Sequence, residues 1–96
     1  MPDVFIWYHA DQQLEPALID WIDCVETEAG VRGKLYIRTR QDKTTFMESY
    51  SDVSRATIDR IEKLAASSSL FQNIDRRCES FIQITPCPRP KNLAHC

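Results

Sequence analysis

The stretch VRGKLYIRTRQ, residues 31–41, decides the fold of this chain. Read with a period of two, it places on one side Arg32, Lys34, Tyr36, Arg38 and Arg40. The other side holds Gly33, Leu35, Ile37 and Thr39. This alternation predicts a β-strand with one apolar face and one cationic face. The apolar face is expected to pack under helices, so the cationic face must meet water, a ligand or a partner chain.

Composition narrows the class of protein. The chain has 96 residues, of which 43% are hydrophobic and 27% charged, so we expect one globular domain. A net charge of −2 argues against a general nucleic-acid binder. No apolar run approaches the ~20 residues of a membrane span, and the first residues lack the basic start of a secretory signal. A cytoplasmic protein that binds neither membrane nor nucleic acid is therefore expected.

The remaining elements follow from periodicity. Strands are predicted at 3–9 and 44–50 and at roughly 77–84. Two amphipathic helices separate them. The first has the apolar stripe Leu14, Leu18, Trp21, Ile22 and Val25, and Gly30 is expected to end it. The second has the stripe Ile58, Ile61, Leu64 and Ala65, with Asp52 or Ser54 as its cap.

The order βαββαβ predicts an α+β, ferredoxin-like fold: a four-stranded antiparallel sheet with two helices on one face. The domain is expected to span 1–84, and the prolines of 85–96 predict an irregular tail. The helix-facing set is predicted as Val4, Ile6, Leu35, Ile37, Met47, Ile82 and Ile84. The open face is predicted to show Phe5, Trp7, His9, Lys34, Tyr36, Arg38, Phe46, Glu48, Tyr50 and Phe81.

A face that mixes aromatic and charged side chains has two uses. It can wall a pocket for a small molecule, with a few polar anchors, or it can form a dimer interface. The two uses are compatible, because two such sheets can face each other and enclose a cavity. The predicted ligand-binding residues are Trp7, Lys34, Tyr36, Arg38, Glu48 and Tyr50.

The segment GVRGKLYIR…TTFMESY, together with the strand order, resembles the dimeric α+β barrel superfamily, which includes antibiotic-biosynthesis-monooxygenase-like proteins. Within it, the segment looks most like a family of short uncharacterised bacterial proteins. The resemblance implies a homodimer, and cofactor-free oxygenation or isomerisation is among the chemistries it implies. Haem degraders of this group would show an Asn on strand one, a Trp on strand three and a His on helix two. This pattern is missing here, so no cofactor and no catalytic residue is carried over.

Three side chains of the predicted face allow specific chemistry. His9 is the candidate general base, because an imidazole titrates near neutral pH. Arg38 can bind a carboxylate or phosphate through its planar fork. Glu48 is expected to form a salt bridge with the neighbouring cations, which would lower its pKa, rather than to accept a proton.

The four cysteines include no CxxC pair. Cys24 and Cys78 are predicted to be reduced core residues, since a free cysteine behaves as a small hydrophobe. Cys87, His95 and Cys96 lie in the tail with a spacing that fits no standard zinc site, so no metal is expected.

Two functions remain open at this point. The first is a homodimer that binds a small anionic or aromatic molecule on the open face, with or without cofactor-free chemistry. The second is a non-catalytic module whose sheet face is completely covered by a partner protein. An RNA-recognition domain has the same strand order, but strand three, KTTFMESY, lacks the glycine and most aromatics of that motif.

Overall fold

Four antiparallel strands form one sheet in the computed structural model, which describes residues 1–86. The strands are β1 (Asp3–His9), β2 (Lys34–Arg40), β3 (Lys43–Tyr50) and β4 (Arg77–Phe81), and their order across the sheet is β2-β3-β1-β4. Two helices, α1 (Glu15–Ala29) and α2 (Arg55–Ser67), connect β1 to β2 and β3 to β4. The predicted ferredoxin-like α+β fold is therefore confirmed.

Local chemistry accounts for the helix ends. Pro16 lies in the first turn of α1, where its missing N–H costs no hydrogen bond. Gly30 ends that helix with a φ of 76°, and its N–H donates to the carbonyl oxygen of Glu26 at 3.0 Å. The Ser54 hydroxyl caps α2 by accepting from the N–H of Thr57 at 3.1 Å. Asp11 caps a short 3₁₀ turn at Gln12–Leu14, just before α1.

The core lies between the helices and one face of the sheet. Its sheet side consists of Val4, Ile6, Tyr8, Phe46 and Tyr50. Its helix side consists of Leu18, Trp21, Ile22, Val25, Ile58, Ile61 and Ala65, with Val53 and Phe71 from the connections. Leu14 and Leu64 pack against this cluster while remaining half-buried. The predicted apolar stripes of both helices are thus confirmed.

The predicted orientation of β3 is wrong. Glu48 is in register with Ile6 of β1 and with Leu35 of β2, both of which face the helices. Phe46, Glu48 and Tyr50 therefore lie on the helix side and are fully buried. Met47, predicted to face the helices, lies on the open face between Trp7 and Tyr36. The inversion removes Glu48 and Tyr50 from the predicted ligand-binding set.

The last strand is shorter than predicted. β4 ends at Phe81, so Ile82 and Ile84 lie beyond the sheet and are 66% and 93% exposed.

The predicted burial of the two cysteines is also wrong, because Cys24 and Cys78 are both exposed free thiols. Cys24 lies outside the buried stripe of α1, and Cys78 lies on a strand at the edge of the sheet.

Some of the sequence predictions concern residues outside the described range 1–86. The tail residues Cys87, His95 and Cys96 lie outside the described part of the chain. Among residues 1–86, none of the helices is long and apolar enough to cross a membrane. In the same range, no group of three or more His, Cys, Asp or Glu side chains is placed to hold a metal ion.

Gly33 provides a test of the packing. A Cβ atom built there would lie 2.9 Å from Cδ1 of the Tyr50 ring, which is fully buried and has no room to move. We expect Gly33→Ala to lower the free energy of unfolding by about 1–3 kcal/mol, as overpacking does. Gly30→Ala is the matched control, because a Cβ there meets open space and adds only the strain of a positive φ. Urea unfolding measures both, and equal losses for the two variants would contradict the proposed clash with Tyr50.

Candidate functional site

Three rows of side chains cross the open face of the sheet. The central row runs from Arg77 on β4 through Trp7 and Met47 to Tyr36 on β2. The row on one side is Glu79, Phe5, Ser49 and Lys34. The row on the other side is His9, Thr45 and Arg38. Registers set by backbone hydrogen bonds therefore bring together side chains that are far apart in the sequence.

A depression of about 320 Å³ lies on this face. Its lining consists of Trp7, Tyr36, Ile37, Arg38, Thr45 and Met47. Met47 and Thr45 come from the middle strand and form the floor, while Trp7 and Tyr36 stand on the strands to either side. An apolar wall with one cationic anchor is the usual composition of a site for a small molecule.

His9 lies at the edge of this depression. Its Nδ1 is 3.0 Å from the Oγ1 of Thr45, and its ring packs edge-on against Trp7 with ring centroids 5.9 Å apart. The residue is exposed, so its other ring nitrogen is open to solvent.

Most cations of the open face have no acidic partner in the part of the chain that the structure describes. Within residues 1–86, no ion pair involves Lys34, Arg38, Arg40 or Lys43. Arg77 is the exception, since its Nε lies 2.8 Å from Oδ2 of Asp75. The predicted pairing of these cations with Glu48 is wrong, because that carboxylate lies on the opposite face and forms its salt bridge with Arg76. The edge strand β2 thus presents uncompensated positive charge beside the depression.

Glu48 is the centre of a buried network on the helix side. Its Oε2 accepts from the hydroxyl of Tyr8 and from Nη1 of Arg76, both at 2.7 Å. Its Oε1 accepts from the hydroxyl of Tyr50 at 2.7 Å and from the indole Nε1 of Trp21 at 3.0 Å. Four donors saturate a carboxylate that has no access to water, which is the condition for burying a charge.

Arg76 provides the opposite charge. Its side chain is only 8% exposed, and its Nη2 also donates to Oε1 of Glu62 at 3.1 Å. The guanidinium carbon lies 4.3 Å from the ring centroid of Phe71 and within 6 Å of the rings of Tyr8 and Trp21. Burial opposes the charged guanidinium, but the Glu48 and Glu62 carboxylates outweigh it and raise the pKa of Arg76.

The same network shifts the two tyrosines. The pKa values of Tyr8 and Tyr50 are raised well above that of an exposed tyrosine. Burial of the two hydroxyls is the largest cause, and the negative charge of Glu48 and its hydrogen bonds with them raise the pKa values further. Both hydroxyls therefore keep their protons at any physiological pH and act as donors. This network is a structural centre, and a ligand on the open face cannot reach it.

The predicted site is thus divided between two faces. Trp7, Lys34, Tyr36 and Arg38 lie on the open face with the candidate base His9, whereas Glu48 and Tyr50 are buried behind it. Sequence reasoning missed Thr45 and Met47. The size contrast along β3 contained the signal, since Phe46 and Tyr50 suit a core better than Thr45 and Ser49 do.

Comparison with known proteins supports the fold and nothing finer. No protein-family model matches the chain, and no curated protein matches it. Among solved structures, "De novo designed protein Foldit4" is similar, with a TM-score of 0.70 and 16% sequence identity. The match covers 85% of this chain and 97% of the designed one. At this identity the likeness concerns only the ferredoxin-like arrangement of helices and strands.

Removing the charge of Glu48 should be costly. We expect Glu48→Gln to lower the free energy of unfolding by about 3–5 kcal/mol, because Arg76 would lose its buried counter-charge. Glu62→Gln is the matched control. It removes the other carboxylate of Arg76, which is 38% exposed, and should cost about 1 kcal/mol or less. Urea unfolding of the two variants distinguishes these values, and a loss of under 1 kcal/mol for Glu48→Gln would show that the network is not needed.

The raised tyrosine pKa values predict a pH dependence. The ordinary pKa of tyrosine is about 10. Above pH 10, Tyr8 and Tyr50 therefore lose their protons in the unfolded chain but keep them in the folded state. Because the folded state then binds more protons than the unfolded state, the free energy of unfolding decreases as the pH rises above 10. The decrease is about 1.4 kcal/mol per pH unit for each of the two tyrosines, and none of it occurs below pH 10. Urea unfolding between pH 8 and pH 11 should show this fall. The Tyr8→Phe/Tyr50→Phe variant should have a shallower slope, and an unchanged slope would rule the explanation out.

Proposed function

We propose that the open sheet face binds a small anion with a flat apolar body, within a cytoplasmic homodimer. The observation that carries this proposal is the position of Arg38, which has no acidic partner among residues 1–86 and borders the depression between Trp7 and Tyr36.

The charge balance supports an anion. Lys34 and Arg38 lie on the same face of the same strand, four residues apart in the sequence. An exposed arginine can satisfy its donors with water, yet a carboxylate or phosphate accepts two of them at once and gains charge-assisted hydrogen bonds. Because Glu48 is held on the opposite face, no acid of β3 competes with a ligand for these cations.

The aromatic residues support a flat apolar body. Trp7 and Tyr36 are separated by one intervening strand, so their backbones are about 10 Å apart, twice the usual strand spacing. Met47 lies between them, and its thioether is a soft, adaptable surface for an aromatic ring. A ring of one or two fused cycles can therefore lie on Met47 with its edges against Trp7 and Tyr36 while its acid group meets Arg38.

A second copy would complete this site. In one chain the depression is open to water, and large apolar side chains such as Tyr36 and Phe81 remain 47% and 55% exposed on the same face. Covering them would bury apolar area and enclose the ligand. The resemblance of GVRGKLYIR…TTFMESY to dimeric α+β barrels supports the same assembly. Within that assembly, His9 would be the residue that exchanges a proton if the protein is an enzyme.

The alternative function is a non-catalytic module. The exposed apolar area extends beyond the depression to Phe5 and Phe81, whose ring centroids are 5.8 Å apart. A partner protein that used this whole area would also cover Trp7 and Tyr36, and no space would remain for a ligand. The two functions therefore differ in whether the depression stays open in the assembled protein.

Arg38→Ala tests the proposal, with benzoate and 1-naphthoate as probes and benzyl alcohol as an uncharged reference. Calorimetric titration should show that the wild type binds the acids more tightly than the alcohol. Arg38→Ala should weaken acid binding by about 10-fold or more, the value of a charge-assisted hydrogen bond. Arg40→Ala is the matched control, because this arginine is two residues away on the same strand and outside the depression.

Three results of that titration contradict the proposal. They are no binding of either acid by the wild type, equal binding of acid and alcohol, and equal weakening by Arg38→Ala and Arg40→Ala. The oligomeric state of each variant is measured in parallel. Loss of the dimer alone in Arg38→Ala would instead favour the interaction module.

A further inference from the structure

A second depression lies on the helix side of the sheet, at the end of α2. Its volume is about 500 Å³, and the connection from α2 to β4 forms much of its wall. A volume of this size is usual for a small-molecule site. No described residue lines both this depression and the one on the open face. Its polar side chains are Glu62, Ser67, Ser68, Ser69, Gln72 and Arg76.

Arg76, which lines this depression, has one donor without an acceptor. Its Nη1 donates to Glu48 at 2.7 Å and its Nη2 donates to Glu62 at 3.1 Å. Its Nε is buried and has no hydrogen-bond partner among residues 1–86. A buried N–H group without an acceptor is unfavourable, because it has lost its hydrogen bond to water and gained none in return. A bound molecule that brings an acceptor to Arg76 would remove this cost.

The charges around Arg76 disfavour an anion. Two carboxylates, those of Glu48 and Glu62, contact one guanidinium, so this group of three side chains has a net charge of −1. The depression also lies at the C-terminal end of α2, where the helix dipole adds partial negative charge. Among the described residues, no lysine and no second arginine lines it. We therefore expect an uncharged ligand here, in contrast to the anion proposed for the open face.

The hydrogen-bonding groups of the depression match those of hydroxyls. A hydroxyl oxygen can accept from Nε of Arg76, and the same group or its neighbour can donate to the Glu62 carboxylate. That carboxylate is 38% exposed, so it has room for a further donor. Ser69 and Gln72 are exposed, and each side chain can both donate and accept. A series of adjacent hydroxyls would therefore find partners along the whole polar wall.

The geometry points to a site for a small uncharged molecule with adjacent hydroxyl groups, such as a polyol or a monosaccharide. One hydroxyl oxygen of the ligand accepts from Nε of Arg76, and a neighbouring hydroxyl donates to Glu62. Because Nε is buried in this structure, binding requires the Arg76 side chain to shift towards the depression. This site is separate from the open face and does not depend on the ligand proposed there.

An NMR titration of the ¹⁵N-labelled full chain tests the contact with Arg76. The probes are D-glucitol, an open-chain polyol, and D-glucose, a monosaccharide. The readout is the Nε–Hε resonance of Arg76, assigned through its bonds to the rest of that side chain. We expect at least one probe to shift it, while the indole N–H resonance of Trp7 on the open face stays unchanged. Cyclohexanol, with a single hydroxyl, should bind about 10-fold more weakly or less.

Two matched double variants locate the site. Ser69→Ala/Gln72→Ala removes two exposed polar side chains of the depression that are not partners of Glu48. It should weaken binding of the probe by about 10-fold or more, which corresponds to the loss of one or two hydrogen bonds. Gln13→Ala/Ser51→Ala removes the same two residue types at exposed positions outside the depression and should bind like the wild type.

A matched acid for each probe tests the preference for an uncharged ligand. D-Gluconate and D-glucuronate have a carboxylate where D-glucitol and D-glucose have a terminal CH₂OH group. The acid should bind about 5-fold more weakly than its uncharged counterpart, which is the effect of one unit charge at about 4 Å in water. Glu62→Gln removes one of the two carboxylates beside Arg76 and should reduce this preference.

The inference is overturned if neither D-glucitol nor D-glucose shifts the Arg76 resonance, or if a probe shifts the Trp7 resonance instead. It is also overturned if cyclohexanol or the matched acid binds as tightly as the probe, or if the two double variants weaken binding equally. None of these results bears on the open face, where benzoate binding and its dependence on Arg38 are measured separately.

Discussion

The burial of the Glu48 carboxylate is the constraint on which the rest of the structure depends. A charge without water requires a full set of donors, and here Tyr8, Trp21, Tyr50 and Arg76 provide them. These donors come from β1, α1, β3 and the segment before β4, so one carboxylate joins four parts of the chain. If the register of β3 shifted by one residue, Glu48 and Tyr50 would both move to the open face, and the three buried donors Tyr8, Trp21 and Arg76 would lose this acceptor.

The same constraint shapes the outer face of the sheet. Because the acid of β3 is held inside, the open face keeps Lys34, Arg38 and Arg40 without an acidic neighbour on β3. The central row, Trp7, Met47 and Tyr36, then supplies an apolar floor beside those cations. The chain has a net charge of −2, yet this face is cationic, since acids such as Asp20, Asp23 and Glu26 lie on the outer surface of α1. This separation of charge between the two layers is the reason why we propose an anionic ligand.

The lengths of the strands are a second constraint on the sheet. β1 begins at Asp3, so β4 loses its neighbour after Phe81, although the chain continues with strand-forming residues. β2, at the other edge, has a free side with an apolar groove next to it. Both edges of the described sheet therefore leave backbone N–H and C=O groups without a strand partner.

The sequence by itself determined the order βαββαβ, the apolar stripes of both helices, the left-handed end at Gly30 and the cationic side of β2. Local periodicity and capping chemistry decide these features, and both can be read within a window of a few residues. Only the tertiary structure decided which side of β3 faces the core. Alternation gives two sets, Thr45, Met47 and Ser49 or Phe46, Glu48 and Tyr50, and a charged residue in the second set argues for solvent unless its partners are known. Three of its four partners, Tyr8, Trp21 and Arg76, lie 40, 27 and 28 residues away, so the reason to bury Glu48 exists only once the chain has folded.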